Sequence, residues 1–241
     1  MNCGRAYLLS AAAVALVVLF SGRALCSDKE IGQQRTSLKR ADFAHERAPR
    51  EVRQFADWVV DSYDHKGLPF VIIDKPNARV FVFDSSGRIR GGAPALLGSA
   101  PGDHSVPGIG ERELSDMAPP DRTTPAGRFV SGIGMNFRGE DVLWVDHESG
   151  LSLHRVLTTK PEERRLERLA TATVKDNRIS YGCINVPTKF YERTVAPTFA
   201  GTDGIVYILP ERGSARELFG TYVVGEPGFH TVPTSSAKVR K

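Results

Sequence analysis

The segment Ile179-Ser180-Tyr181-Gly182-Cys183-Ile184-Asn185-Val186 places a cysteine in a Ser-x-Gly-Cys turn that is followed by a short, mostly apolar stretch. The other two cysteines, Cys3 and Cys26, both lie in or beside the N-terminal segment. Cysteines of exported proteins usually pair into disulfides, so a solitary thiol needs another explanation. We therefore interpret Cys183 as a candidate nucleophile.

The N-terminal segment, residues 1–26, has the order of a secretory signal peptide. Arg5 precedes an apolar run that ends at Phe20, and small residues follow. The run is short for a membrane-spanning helix, which needs about 20 residues. We predict export to the periplasm or cell envelope with cleavage after Ala24 or Cys26. The alternative is an uncleaved N-terminal anchor, the one case in which we expect contact with a membrane.

The charge of the chain argues against a nucleic-acid partner. The formal net charge is +4 over 241 residues, and removal of residues 1–26 takes away Arg5 and Arg23 and leaves +2. So small an excess does not favour binding to a polyanion, and no RNA- or DNA-binding motif is present. We predict that the chain binds no nucleic acid.

The remaining chain divides into three segments by composition. Residues 27–66 combine a polar tether with a short helix, predicted from apolar residues at helical spacing between Ala48 and Tyr63. Residues 67–210 alternate strand-like and turn-like stretches, which predicts one globular domain. Residues 211–241 are polar and are predicted to form a loose C-terminal tail.

Strands dominate the predicted globular domain. Two apolar runs separated by a short turn favour an antiparallel pair at residues 70–73 and 79–83. The Gly- and Pro-rich stretch 99–127 predicts a long ordered loop, and such loops are often functional. Further strands are predicted at residues 93–97, 128–133, 142–145, 151–156 and 205–209, and a helix at 187–199.

A thiol nucleophile needs a neighbouring base and donors for the developing oxyanion. Gly182 permits a tight turn, and the Gly182 and Cys183 amides would point toward a reacting carbonyl, while Ser180 would hydrogen-bond within the turn. Strand alternation places His154 on the polar face with Ser152. His154 is therefore the candidate base, although sequence spacing alone does not bring it to Cys183.

These residues resemble the catalytic domain of L,D-transpeptidases, the YkuD-like family of peptidoglycan cross-linking enzymes. The family motif is a histidine on a strand followed by a Ser/Thr-x-Gly-Cys segment; His154 matches the first part, and Ser180, Gly182 and Cys183 match the second. The resemblance covers residues 70 to 210.

Two further elements of the family pattern occur in the expected order. Asp74-Lys75 resembles the Asp-Lys that precedes the first pair of strands, and residues 124–129 resemble a Thr-Pro-x-Gly-x-Phe element. The resemblance implies a mainly β domain, an L,D-transpeptidase-like β-sandwich of mostly antiparallel sheets with one or a few flanking helices.

The resemblance also implies an activity. Cys183 would be the nucleophile and His154 the general acid and base in acyl transfer on peptidoglycan stem peptides through a thioester. Gly182 would supply an oxyanion-hole amide, and Ser180 would support the turn. The acyl acceptor would be a second stem peptide or an envelope protein, and neither a metal nor an organic cofactor is required.

Three positions depart from the family pattern and are the candidate substrate-binding residues. Tyr181 stands where histidine is frequent, Asn185 stands where arginine is common, and Arg155 follows the histidine where Gly or Ser is usual. The stretch between His154 and Cys183 is also long, and residues 160–169 predict an added charged helix within it.

Two other interpretations follow from the same residues. Water could replace the acceptor amine, which would give an L,D-carboxypeptidase or an endopeptidase. The departures at Tyr181, Arg155 and Asn185 also allow an inactive peptidoglycan-binding module. His104, His147, His154 and Cys183 lack the short paired spacing of zinc ligands, so we predict no metal site. A sortase-like signature is not recognisable.

Overall fold

The computed structural model describes residues 38–226. The predicted signal peptide, part of the predicted tether and the end of the predicted tail lie outside this range. No helix among the described residues is long and apolar enough to cross a membrane.

The described chain contains ten strands and five short helices. The strands are β1 (Phe70–Asp74), β2 (Arg79–Phe83), β3 (Ile89–Pro94), β4 (Leu97–Gly98), β5 (Gly127–Met135), β6 (Asp141–Asp146), β7 (Leu151–Arg155), β8 (Arg178–Ser180), β9 (Ile184–Val186) and β10 (Gly204–Ile208). The helices are α1 (Arg50–Asp61), α2 (Arg165–Ala170), α3 (Thr188–Phe190), α4 (Ala196–Thr198) and α5 (Ala215–Phe219), and a π-helical turn, Tyr191–Val195, joins α3 to α4.

One large sheet organises the fold. Its eight strands have the order β3-β2-β1-β10-β5-β6-β7-β9, and β4 and β8 form a separate parallel pair. Five of the seven neighbouring pairs are antiparallel, and β1–β10 and β7–β9 are parallel. Leu96 follows β3 at one edge and pairs with Asn185 in β9 at the other edge through backbone hydrogen bonds of 2.8 and 2.9 Å. This bridge nearly closes the sheet on itself.

The two faces of the sheet bury different apolar clusters. The inner cluster combines β1, β2 and β10 with β6, β7 and β9, and Tyr191, Val195 and Phe199 of the 188–199 segment fill its centre. The outer face of β1, β2 and β10 is covered by α1, whose Phe55 packs against Tyr207 at a ring-centroid distance of 5.3 Å. Burial on both faces explains why β1 and β2 are almost continuously apolar.

The mainly β, mostly antiparallel fold class is confirmed. The arrangement differs from the expected two packed sheets, because one curved sheet encloses most of the inner core. The third strand lies at residues 89–94 rather than 93–97, since the turn at 84–88 is tight and the strand begins immediately after it. Gly91 and Gly92 carry no side chain that would have marked this strand in the sequence.

The segment after β10 contains more structure than a polar tail. Helix α5 begins with a capping box in which Ser214 and Glu217 bond each other's backbone amides. Phe219 packs against Phe55 at 5.0 Å, and the Tyr222 hydroxyl donates to Asp61 at 2.8 Å. Residues 211–226 therefore cover α1, a contact that composition alone did not indicate.

Candidate active site

Parallel pairing of β7 and β9 brings the two predicted catalytic residues together. The register sets Leu153 opposite Ile184 and His154 opposite Asn185. Leu153 and Ile184 point into the inner core, so the alternating residues point to the other face. His154, Asn185 and the preceding Cys183 consequently meet on this outer face, at the edge of the sheet.

The Cys183 thiol is half-buried and lies against the beginning of β7. Its Sγ lies 3.7 Å from the Ser152 hydroxyl oxygen and 3.5 Å from the carbonyl oxygen of Gly150. Ser152 is itself buried and belongs to the same strand face as His154. The sulfur therefore has a hydroxyl donor on one side and a backbone acceptor on the other, which suits both the thiolate and the thiol.

The His154 ring has a defined orientation. Its Nδ1 lies 2.7 Å from the carbonyl oxygen of Arg155. A carbonyl only accepts, so Nδ1 carries a proton and Nε2 is the nitrogen that can gain or lose one. Nε2 lies 3.4 Å from the side-chain nitrogen of Asn185.

The thiol and the imidazole shift each other's proton affinity. Burial alone would raise the pKa of Cys183, but the hydrogen bond and charge of His154, together with Ser152, outweigh burial and hold that pKa below its ordinary value. Burial alone would lower the pKa of His154, but the hydrogen bond and charge of Cys183 outweigh it and raise that pKa. The lowered pKa of Cys183 and the raised pKa of His154 both favour a thiolate–imidazolium pair.

The turn before the nucleophile is held by Ser180. Its hydroxyl donates to the Cys183 carbonyl at 2.7 Å and accepts from the Gly182 amide at 3.1 Å. Gly182 has a φ of +135°, and a Cβ there would lie 2.8 Å from the Thr123 carbonyl oxygen. The position therefore requires glycine. Its N–H points to Ser180 rather than toward a substrate, which differs from the predicted oxyanion role and leaves the Cys183 amide as the candidate donor.

A cleft of about 110 Å³ opens at Cys183 beneath the Gly- and Pro-rich loop. Tyr181 lines this cleft, and the Arg122 guanidinium lies 4.3 Å from its ring centroid. Thr124 fastens the loop to the turn, since its hydroxyl donates to the Gly182 carbonyl at 2.7 Å and accepts from the Gly98 amide at 2.9 Å. The predicted loop is thus ordered and forms one wall of the site.

The other two predicted substrate-binding residues have protein partners. The Arg155 guanidinium lies 2.9 Å from the Asp141 carboxylate and 3.4 Å from that of Glu192, and it stacks over the Tyr191 ring at 4.3 Å. Asn185 is buried, and its side-chain oxygen accepts from Arg165 at 2.6 Å. The structure therefore brings Asn185 and Tyr181 to the thiol and turns the Arg155 head group toward β6.

Sequence reasoning missed three groups at this site. Ser152 was visible as the polar neighbour of His154 on the same strand face, but its contact with the thiol depends on β9. Arg165 lies in the inserted segment, where nothing local indicates a reach toward position 185. Thr124 was noticed only as part of a motif. Within residues 38–226 no group of three or more His, Cys, Asp or Glu side chains could hold a metal ion.

Comparisons with known proteins give likenesses of fold. No protein-family model and no curated protein matches the sequence. Similar solved structures include the helical cell shape determining protein Pgp2 from Campylobacter jejuni, with 16% identity, coverage of 61% of this chain and 49% of that one, and a TM-score of 0.40. They also include the catalytic domain of an L,D-transpeptidase from E. faecium, with 15% identity, coverage of 58% of this chain and 95% of that one, and a TM-score of 0.34.

The expected family is thus represented among the structural neighbours. The matched region spans about half of Pgp2. At these identities and scores the likeness supports no conclusion about activity.

Proposed function

We propose that this chain is a cysteine acyltransferase that acts on peptidoglycan stem peptides and forms cross-links between them. The observation that carries the proposal is that His154 in β7 lies beside Cys183, the residue immediately before the adjacent parallel strand β9, and that the pKa of the thiol is held below its ordinary value. The ordered matches at His154 and at Ser180, Gly182 and Cys183 support the substrate class.

The first half of the proposed reaction forms a thioester. The Cys183 thiolate attacks the carbonyl carbon of the third stem residue, and the carbonyl electrons move onto oxygen. The Cys183 amide donates to this oxyanion. When the carbonyl re-forms, the bond to the fourth residue breaks, and His154 gives its Nε2 proton to the leaving D-amino acid.

The second half returns the enzyme to its starting state. A second stem presents an amine, and His154 accepts a proton as the amine attacks the thioester carbonyl. The carbon–sulfur bond then breaks and leaves the Cys183 thiolate, while a new amide joins the two stems. An amine on an envelope protein would react by the same steps. The reaction needs no redox partner, because every step is an acyl or proton transfer.

The cleft supports the approach of a peptide from one side. Tyr181 and the loop wall border Cys183, and the thiol is half-buried rather than enclosed. The open side of the cleft would let the amine of a second stem approach the thioester. The predicted signal peptide would deliver the enzyme to the compartment that holds this substrate.

Purified disaccharide tetrapeptides test the proposal. Incubation with the full chain should give cross-linked dimers and free D-amino acid, and Cys183→Ala should give neither. Free tripeptides without dimers would establish the hydrolytic alternative. Retention of wild-type affinity for isolated peptidoglycan with no product from either protein would favour the inactive binding module and overturn the proposal.

A further inference from the structure

The side chain of Arg165, in the inserted segment between β7 and β8, reaches the candidate active site. Arg165 stands at the start of α2, and its side chain is only 10% exposed. One of its terminal nitrogens donates to the Asn185 side-chain oxygen at 2.6 Å, and its Nε pairs with Glu163 at 2.5 Å. A nearly buried guanidinium with two fixed partners keeps a defined position.

The segment that carries Arg165 is anchored independently. Leu169 of α2 is buried against Leu96 and Val156. Arg168 donates to the carbonyl oxygens of Glu163 at 2.8 Å and of Asp176 at 3.0 Å. These contacts fix α2 on the edge of the sheet, so the position of Arg165 does not depend on its contact with Asn185.

Arg165 determines how the Asn185 amide is turned. A guanidinium only donates, so the atom that it contacts must be the amide oxygen. The amide nitrogen must then face the opposite way, where it lies 3.3 Å from the Cys183 carbonyl oxygen and 3.4 Å from His154 Nε2. Asn185 therefore presents a donor to Nε2, and a donor at this place favours the unprotonated nitrogen.

We infer that Arg165 is a positioning residue for His154: by donating to the Asn185 side-chain oxygen, it turns the amide nitrogen of Asn185 toward Nε2. The opposing influence is the Cys183 thiolate, which favours the imidazolium. His154 is thereby kept able to release its proton as well as to hold it. The charge of Arg165 lowers the pKa of His154, in the direction that this role requires, although burial and Cys183 act more strongly on it.

Glu163 makes the inference testable in both directions. It faces Arg165 across a 2.5 Å ion pair and partly offsets that positive charge. Arg165→Met should raise the pKa of His154, because a nearby positive charge is removed, and Glu163→Gln should lower it, because the charge of Arg165 is then less offset. The matched control is Arg164→Met, because Arg164 is exposed, pairs with Glu167 and has no contact with Asn185.

The measurement is a pH titration of the His154 Cε1–H signal by NMR, with the signal assigned by its loss in His154→Gln. The expected result is opposite shifts in Arg165→Met and Glu163→Gln and no shift in Arg164→Met. Equal titration of all three variants and the wild type would overturn the inference. Should Arg165→Met fail to fold by circular dichroism, Glu163→Gln alone decides the question.

The route through Asn185 has its own test. The rate of Cys183 alkylation by iodoacetamide at neutral pH should change in Arg165→Met and in Asn185→Ala. The two substitutions together should have less effect than the sum of their separate effects, because part of the Arg165 effect passes through the Asn185 amide. Additive effects would show that Arg165 acts without Asn185. The role of Arg165 rests on the proposed function, because it concerns the same active site. Neither the NMR titration nor the alkylation needs a peptidoglycan substrate. A negative result in these two measurements is therefore distinct from a failure of the acyl-transfer proposal.

Discussion

The Cys183 sulfur lies 3.7 Å from the Ser152 hydroxyl oxygen, although 31 positions separate the two residues in the chain. The contact exists because β9 runs parallel to β7, which also places His154 beside Asn185. A single pairing of two short strands therefore assembles the nucleophile, its hydroxyl neighbour and its candidate base.

Replacing His154 should remove most of the activation of the thiol. In His154→Gln the Cys183 pKa should rise toward its ordinary value, because its hydrogen bond and positive charge are lost. Alkylation by iodoacetamide at pH 7 should slow by about tenfold for each unit of that rise. His147→Gln is the control, since His147 packs against Trp144 with its ring tilted by 53°, and this substitution should leave the rate unchanged. An unchanged rate in His154→Gln would show that the imidazole does not activate the Cys183 thiol.

Acylation of Cys183 should have a bell-shaped dependence on pH. The thiolate is needed, and its pKa is lowered, so the rate should rise with pH along a limb below the ordinary thiol value of about 8.5. The imidazolium is also needed to protonate the leaving group, and its pKa is raised. The rate should therefore fall as the pH rises along a limb above the ordinary imidazole value of about 6.5. Substrate turnover measured between pH 5 and 10 checks both limbs, and a rate that only increases with pH would contradict the role of His154 as acid.

Ser180→Ala should destabilise the turn. The substitution leaves the Cys183 carbonyl and the Gly182 amide without the hydroxyl that bonds both, at a buried position. We expect a loss of about 1–3 kcal/mol in the free energy of unfolding, measured by urea denaturation. Ser115→Ala removes an exposed hydroxyl and should change stability little. Equal stability of the two variants would mean that the turn does not need Ser180.

Gly182→Ala should lower the free energy of unfolding by more than the cost of its positive φ alone. The new Cβ would meet the Thr123 carbonyl oxygen at 2.8 Å, so the loop over the cleft must move. Gly201→Ala is the matched control, because Gly201 has a φ of +71° and no atom within 4 Å of its Cβ position. Gly201→Ala should cost about 1–2 kcal/mol for the left-handed backbone, and Gly182→Ala should cost more. Thermal unfolding of both variants checks this. A lower melting temperature for Gly182→Ala than for Gly201→Ala would show the collision with Thr123, and equal temperatures would show backbone strain alone.

The sequence predicted the elements well where the signal was local. The apolar runs of β1 and β2, the alternation in β7 and the helical segment after Pro187 all lie where expected. Alternation also gave the correct face for His154. The Ser-x-Gly-Cys turn predicted that position 182 needs glycine, because its φ of +135° is a constraint within the turn itself.

Non-local contacts explain what the sequence did not reveal. The closing bridge between Leu96 and Asn185 joins residues almost ninety positions apart, and no periodicity indicates such a pairing. The role of Arg165 depends on where α2 docks, which Leu169 decides by packing against Leu96 and Val156. Phe219 gave too weak a signal within a polar segment to predict that α5 covers α1.

The most direct test of the central claim is the intact mass of the protein after incubation with a carbapenem, which can acylate a reactive thiol. We expect that the wild-type chain gains the mass of one drug molecule, that peptide mapping places it on Cys183, and that Cys183→Ala gains nothing. A folded wild-type protein whose Cys183 reacts with iodoacetamide but acquires no drug adduct would contradict an acyl-enzyme mechanism.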